Sequence, residues 1–293
     1  MIKNPNNKSK EKPKLQKILN LGTLSNLPSW SSAPKLSGIE LLHALKDVGY
    51  EGIQGGDPKL CGEVGLTCSG SFRLNEPKDA NDLVIKNKEK GFNISTIHVG
   101  WGMESDDEID RLIGSVINAS VKNDTPVYIE THRATITQDI WRTVQMTKRN
   151  PEIKFNGDFS HWYTGLEMPY GSMADKLEFL SPIFERVRFF HGRIGNSSHM
   201  QINFKPNDSF VQDFKNIWTL CMIGFLKSAG PGDYLPFAPE LLSANYARVF
   251  NYADGERKEE SDRWEQALLM IKIAQDCFDD ALKINKNNLI KNI

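Results

Sequence analysis

Eight short runs rich in β-branched and aromatic residues alternate with segments of helical periodicity, and this alternation restricts the fold more than any other feature of the chain. The runs are LQKILNLGTL (15–24), YEGIQGGD (50–57), GLTCSGSFRL (65–74), ISTIHVGWG (94–102), PVYIETHR (126–133), EIKFNGDFSHW (152–162), RVRFFHGRIG (186–195) and DYLPFAPEL (233–241). Helix-patterned stretches fall between them at 38–49, 77–91, 105–123, 139–150, about 172–182 and 209–230, and an amphipathic stretch at 261–283 follows the last run. Their ends carry the usual punctuation: Pro77 opens one helix and Gly91 closes it, while Ser105 stands before three acids. Eight strands and their helices in 293 residues predict one α/β domain, a closed (β/α)8 TIM barrel over 15–283. Residues 1–14, rich in Lys and Asn, read as a disordered N-terminal tail, and 284–293 as a C-terminal tail.

Charge narrows the partners. Lys plus Arg number 36 and Asp plus Glu 37, so no net field favours nucleic acid or an anionic membrane. No apolar run reaches the roughly 18 residues of a membrane span. Cys61, Cys68, Cys221 and Cys277 lack metal-ribbon spacing and no secretion signal is evident, which predicts reduced thiols and a cytoplasmic protein. Neither a dinucleotide fingerprint nor a nucleoside-triphosphate loop is present.

In a barrel of this kind the chemistry sits at the carboxyl ends of the strands. The fourth run offers His98 there, the fifth Glu130 and His132, and the sixth Asp158 with His161 three residues on. The seventh offers His191 and, on the same face, Arg193; the eighth offers Glu240. Glu130, Asp158, His191 and Glu240 would bring three negative charges to one mouth, where a divalent cation must offset their repulsion. Three carboxylates and an imidazole suit one Mn2+ ion best, with Mg2+, Co2+ or Zn2+ also compatible. Trp101, Trp162, Phe72 and Gln54 lie near strand ends and offer an apolar wall and a polar contact for a sugar.

Taken together, VYIETHR, GDFSHW, FFHGRIG and PFAPEL resemble the xylose isomerase-like TIM-barrel superfamily of sugar and sugar-phosphate isomerases and epimerases, which also contains apurinic-site endonucleases. The resemblance spans about 15–283, and the segment NYADGERKEESDRWEQALL is similar to uncharacterised members of the same group. It implies a metal held by Glu130, Asp158, His191 and Glu240 and a substrate contact from His161; the strand-end positions add a Glu130/Glu240 acid-base pair and substrate contacts from Arg193, His98, His132, Trp101 and Gln54. The 3-epimerase branch carries an Arg six residues after the metal-binding His, where this chain has Ser197, so the sugar is not carried over. The endonuclease branch needs a third-strand His and an Asp-x-His pair, and neither occurs here. The expectation is a metal-dependent carbohydrate isomerase or epimerase with a small-molecule substrate and room for a homo-oligomer. A lyase or deglycosidase acting on an oxidised sugar is the alternative.

Overall fold

The computed structural model describes residues 1–243, 246–251 and 257–291; residues 252–256, within the expected NYADGERKEESDRWEQALL segment, and 292–293 of the expected C-terminal tail lie outside them. In chain order the elements are β1 (Lys14–Asn20), α1 (Gly38–Asp47), β2 (Gly52–Gln54), α2 (Pro58–Val64), β3 (Thr67–Leu74), α3 (Ala80–Glu89), β4 (Ile94–Val99), α4 (Asp106–Lys122) and β5 (Val127–Glu130). They continue with α5 (Ile140–Arg149), β6 (Phe155–Gly157), α6 (Ser160–Gly165), α7 (Met173–Phe179), α8 (Ser181–Phe184), β7 (Val187–Gly192), α9 (Ser209–Leu226), β8 (Tyr234–Pro239), β9 (Val249–Asn251), β10 (Arg257–Glu259) and α10 (Arg263–Lys291). Strands β1 to β8 form a closed barrel, every neighbouring pair parallel, with β8 returning to β1 through Lys14↔Tyr234 and Lys17↔Phe237. The expected TIM barrel is therefore the fold. Among the described residues no helix is long and apolar enough to cross a membrane.

Strand residues facing both ways are buried, as a parallel sheet wrapped by helices demands: every residue of β5, β7 and β8 is shielded from solvent. Trp218 on α9 packs edge-on against Phe237 of β8, which stacks with Phe190 of β7, joining the outer helices to the barrel wall. The capping box at Ser105 forms as its spacing predicts, with Glu108 returning the bond to the Ser105 amide. The single helix expected near 172–182 is split into α7 and α8, because Pro182 can donate no amide to the preceding turn.

Two expectations fail. Residues 1–14 are not a disordered tail: Ile2 is only 4 % exposed, Asn6 bridges Asp233, and the amides of Asn7 and Tyr234 bond across this seam to Gly232 and Pro5. The segment seals the amino end of the barrel, where Tyr128 donates its hydroxyl to the Lys3 carbonyl. Composition misjudged it because the lysine ammonium groups stay in water while the backbone and asparagine amides do the docking. At the other end, α10 runs on to Lys291, so the helix continues through most of the expected C-terminal tail. Helix α2 was not anticipated, although Asp57 caps it, Pro58 opens it and Gly65 closes it at φ 78°.

Arg263, at the start of α10, is 1 % exposed and ties the mouth together. Its guanidinium donates to the carbonyls of Thr23, Ser25, Asn26 and Leu241, on the loops after β1 and β8, and pairs with Glu259.

Candidate metal centre

Parallel register sets the site. Glu130 is paired with Asn156, the residue two before Asp158, and His191 is paired with Ala238, two before Glu240. The four strand ends consequently stand at one level, and one ligating atom from each of Glu130, Asp158, His191 and Glu240 lies within 4.8 Å of the others. A second cluster, His98, Glu130 and His132, adjoins it.

The orientation of His191 decides what this cluster can hold. Its Nε2 lies 2.7 Å from Gln54 Oε1, an oxygen that also accepts from Asn20 Nδ2 at 3.0 Å, while Gln54 Nε2 donates to Thr96 Oγ1 at 2.8 Å. With the amide fixed by both partners, Nε2 carries the proton and Nδ1 presents a lone pair. That Nδ1 is buried without a hydrogen bond, although Glu130 Oε2 and Glu240 Oε2 lie only 3.2 and 3.5 Å away. A lone pair and carboxylate oxygens crowded together without hydrogen-bond alignment suit a cation between them.

Charge points the same way. Arg193 is fully buried and donates through Nη1 to Asp158 Oδ2 at 2.9 Å and through Nη2 to Glu240 Oε2 at 2.6 Å. One guanidinium against three carboxylates leaves two negative charges, which a divalent ion neutralises. Without a metal, burial opposes charging His191, but Glu240 and Glu130 outweigh it and push its pKa up to about 9. Burial likewise opposes ionisation of Glu130, yet His191 and His98 hold its carboxyl well below the usual range. The donor set fits a divalent metal, which Glu130, Asp158, His191 and Glu240 could hold.

Around the ligands, Asn156 Nδ2 reaches Glu130 Oε2 at 3.2 Å and Asn20 Nδ2 reaches Glu240 Oε1 at 2.8 Å. The second Asp158 oxygen accepts from the Ser160 amide and hydroxyl at the start of α6. His98, His132 and His161 form a row of rings, with centroids 4.2 and 3.8 Å apart, and His98 Nε2 lies 3.3 Å from Glu130 Oε2. Burial and the neighbouring His161 push His132 down to about 3, so this row is held without charge at its centre.

Three residues expected to meet substrate take other places. Gln54 is buried with its amide committed to His191, Asn20 and Thr96. Arg193 spends its guanidinium on two ligand carboxylates and the Glu240 carbonyl, and stacks 4.4 Å from the Tyr246 ring. Trp162 is wholly buried, donating to the Thr137 carbonyl at 2.7 Å and so pinning the loop after β5; it cannot line the mouth. Phe72 packs partly against the core. Trp101 is 50 % exposed, with the Arg73 guanidinium 4.0 Å over its ring and donating to the Gly100 carbonyl. The turn that presents Trp101 needs Gly100 at φ 61°, where an added Cβ would meet Glu104 at 2.7 Å. Asn20, Arg73, Asn156 and Tyr246 were not anticipated. Asn20 and Arg73 end or nearly end β1 and β3, so applying the strand-end rule to the first three strands would have found them.

No protein-family model matches the chain, and no curated protein matches it. Among solved structures, it is similar to a xylose isomerase-like TIM barrel protein from Mycobacterium smegmatis in complex with magnesium (12 % identity, 90 % of this chain and 97 % of that one, TM-score 0.53). The chain has the xylose isomerase-like barrel fold. It is also similar to the probable 3-DHS dehydratase AsbF involved in petrobactin synthesis from Bacillus anthracis (14 % identity, 79 % of this chain and 94 % of that one, TM-score 0.52).

Proposed function

We propose that the chain is a divalent-metal-dependent isomerase or epimerase of a small sugar or sugar phosphate. The observation that carries this reading is the convergence of Glu130, Asp158, Glu240 and the unpartnered Nδ1 of His191 within 4.8 Å, with two negative charges left over after Arg193. The magnesium complex of the Mycobacterium smegmatis barrel supports the metal, and the oxygen-rich donor set favours Mn2+ or Mg2+.

A carbon-bound proton beside a sugar carbonyl is too weakly acidic for a free carboxylate to remove at a useful rate. A divalent ion held by Glu130, Asp158, His191 and Glu240 would supply the Lewis acidity that polarises the carbonyl and lowers this barrier. Glu130, kept ionised by His191 and His98, is the group fit to accept the proton. Glu240, held by Asn20 and Arg193, is fit to return one after taking it from solvent. Return to the same carbon from the opposite face is epimerisation, and return to the former carbonyl carbon is isomerisation. His161, 2 % exposed with its Nδ1 unpartnered, offers a polar atom for a substrate hydroxyl. Arg193 fixes the two carboxylates, and the half-exposed Trp101 offers an apolar face at the mouth.

The test is solvent deuterium exchange on a panel of ketoses and their phosphates with Mn2+ present. Deuterium should enter at the carbon beside the carbonyl, and Glu130→Gln or Glu240→Gln should slow it by about 10²- to 10⁴-fold. Water loss from an oxidised sugar would move the assignment to a lyase, whose first proton removal is the same and which the dehydratase neighbour favours. Cleavage of abasic DNA without sugar exchange would overturn both readings.

A further inference from the structure

At the amino end of the barrel, opposite the metal centre, lies a cavity of about 670 Å³, a size ordinary for a metabolite site. Its walls include Lys154 ahead of β6, Arg186 and Arg188 around the start of β7, and Lys227 and Ser228 after α9. The N-terminal segment closes one side with Ile2, Lys3 and Asn4.

The cations here are unevenly matched. Lys227 pairs with Glu185, Lys3 pairs with Asp124, and Asp233 is taken up by the amides of Asn4 and Asn6. Lys154, Arg186 and Arg188 have no carboxylate partner among the described residues. Arg188, 2 % exposed, gives its protons only to neutral groups: Asn4 Oδ1, the carbonyls of Glu185 and Val187, and Ser228 Oγ. Arg186 donates only to the carbonyls of Pro151 and Pro182.

Lys154 is the decisive residue. It is 9 % exposed, lines the cavity, and its ammonium makes neither a hydrogen bond nor an ion pair with any described residue. Burial first, then Arg188 and Arg186, push its pKa down to about 8, and only Glu152 opposes them. Here the chain holds three cations together around an open volume, as sites for phosphate groups do.

We propose that this cavity binds the phosphate group of a small phosphorylated metabolite, with the ammonium of Lys154 and the guanidinium of Arg186 as its charged donors. The volume leaves room beyond the phosphate for an attached polar body. The strands that begin at this cavity, β6 and β7, lead at their other ends to Asp158 and His191, so an occupant would brace two strands that carry metal ligands.

Calorimetric titration and thermal unfolding of the full chain with inorganic phosphate, ribose 5-phosphate and ribose test this. Metal chelated by excess EDTA removes any contribution from the mouth. Both phosphate probes should bind and raise the unfolding temperature, and ribose should do neither. Tighter binding of ribose 5-phosphate assigns a phosphorylated metabolite, and equal binding assigns free phosphate. Lys154→Met should weaken phosphate binding by at least about tenfold. It should also raise the unfolding temperature of the ligand-free protein, because a charge that partial burial and two arginines disfavour is gone. Arg186→Gln, at a less buried position, should weaken binding without that gain, and Lys227→Ala should change it little. Absence of phosphate binding at millimolar concentration, or equal binding by Lys154→Met, would overturn the proposal.

Discussion

Replacing Gln54 with Leu tests the metal centre through a residue that touches no metal. In the native site Gln54 Oε1 accepts from His191 Nε2 at 2.7 Å and thereby leaves Nδ1 as the lone pair facing the carboxylates. Leucine removes the acceptor. The neutral imidazole then gains by moving its proton to Nδ1, where Glu130 Oε2 and Glu240 Oε2 lie 3.2 and 3.5 Å away, and that proton occupies the ligand position. The loss is one buried hydrogen bond of about 1–1.5 kcal/mol plus the cost of returning the proton, on the order of 1.4–2.7 kcal/mol in all. The Kd for Mn2+, measured calorimetrically at about pH 9.5, where metal-free His191 is neutral, should therefore rise about 10- to 100-fold. Gln54→Glu keeps an acceptor at the same reach and should bind within a few-fold of the wild type. Near pH 7, where metal-free His191 is an imidazolium, the fold should lose about 1–3 kcal/mol in Gln54→Leu, because the Nε2 proton is left without a partner while Asn20 retains Glu240. Unchanged Mn2+ affinity in Gln54→Leu, or an equal loss in both variants, would falsify the claim that this amide sets the tautomer.

Further outcomes follow from the same geometry. With His191 raised to about 9 in the metal-free protein, binding must displace a proton, so apparent Mn2+ affinity should rise about tenfold per pH unit from pH 7 to 9 and then level off. For stability the sign is fixed by a folded pKa above the ordinary 6.5: the protonated form stabilises the metal-free fold fully below about pH 6.5, and about 3 kcal/mol is lost as pH rises to 9, readable from urea midpoints. Arg193→Met leaves Asp158 and Glu240 without their shared cation, so Mn2+ content should hold or increase while turnover falls; loss of metal would mean that the guanidinium is needed to assemble the ligands. Arg263→Met strands four carbonyls and Glu259, and should cost about 3–5 kcal/mol, lowering the unfolding temperature by on the order of 10 °C in calorimetry.

The strands and the convergence of the four strand-end side chains were legible because each rests on a local pattern: a short apolar run, and the side chain that ends it. Glu130 and His191 could be named from their own strands. Their partners could not, because Gln54 meets His191 across 137 residues of chain, and Asn20 meets Glu240 across 220. Arg193 was read as facing substrate since alternation gives only a face, whereas its length lets it fold back onto Asp158 and Glu240. Trp162 stood near a strand end in sequence, but α6 turns it away from the mouth and into the core. The docking of residues 1–13 was invisible to composition because it runs through backbone groups and asparagines, whose partners outside the segment lie more than 120 residues away.

The seam between β1 and β8 also sets an order of events during synthesis. Lys14 waits for Tyr234, so seven strands must emerge while the first still has an open edge, and the arginine that clamps the two flanking loops arrives only at position 263. An open parallel sheet of this kind invites pairing with other chains. A ribosome-bound chain halted before residue 233 therefore has neither its floor strap nor its last stave, and refolding at high concentration should yield aggregates that disappear when dilution lets the two ends of one molecule meet first.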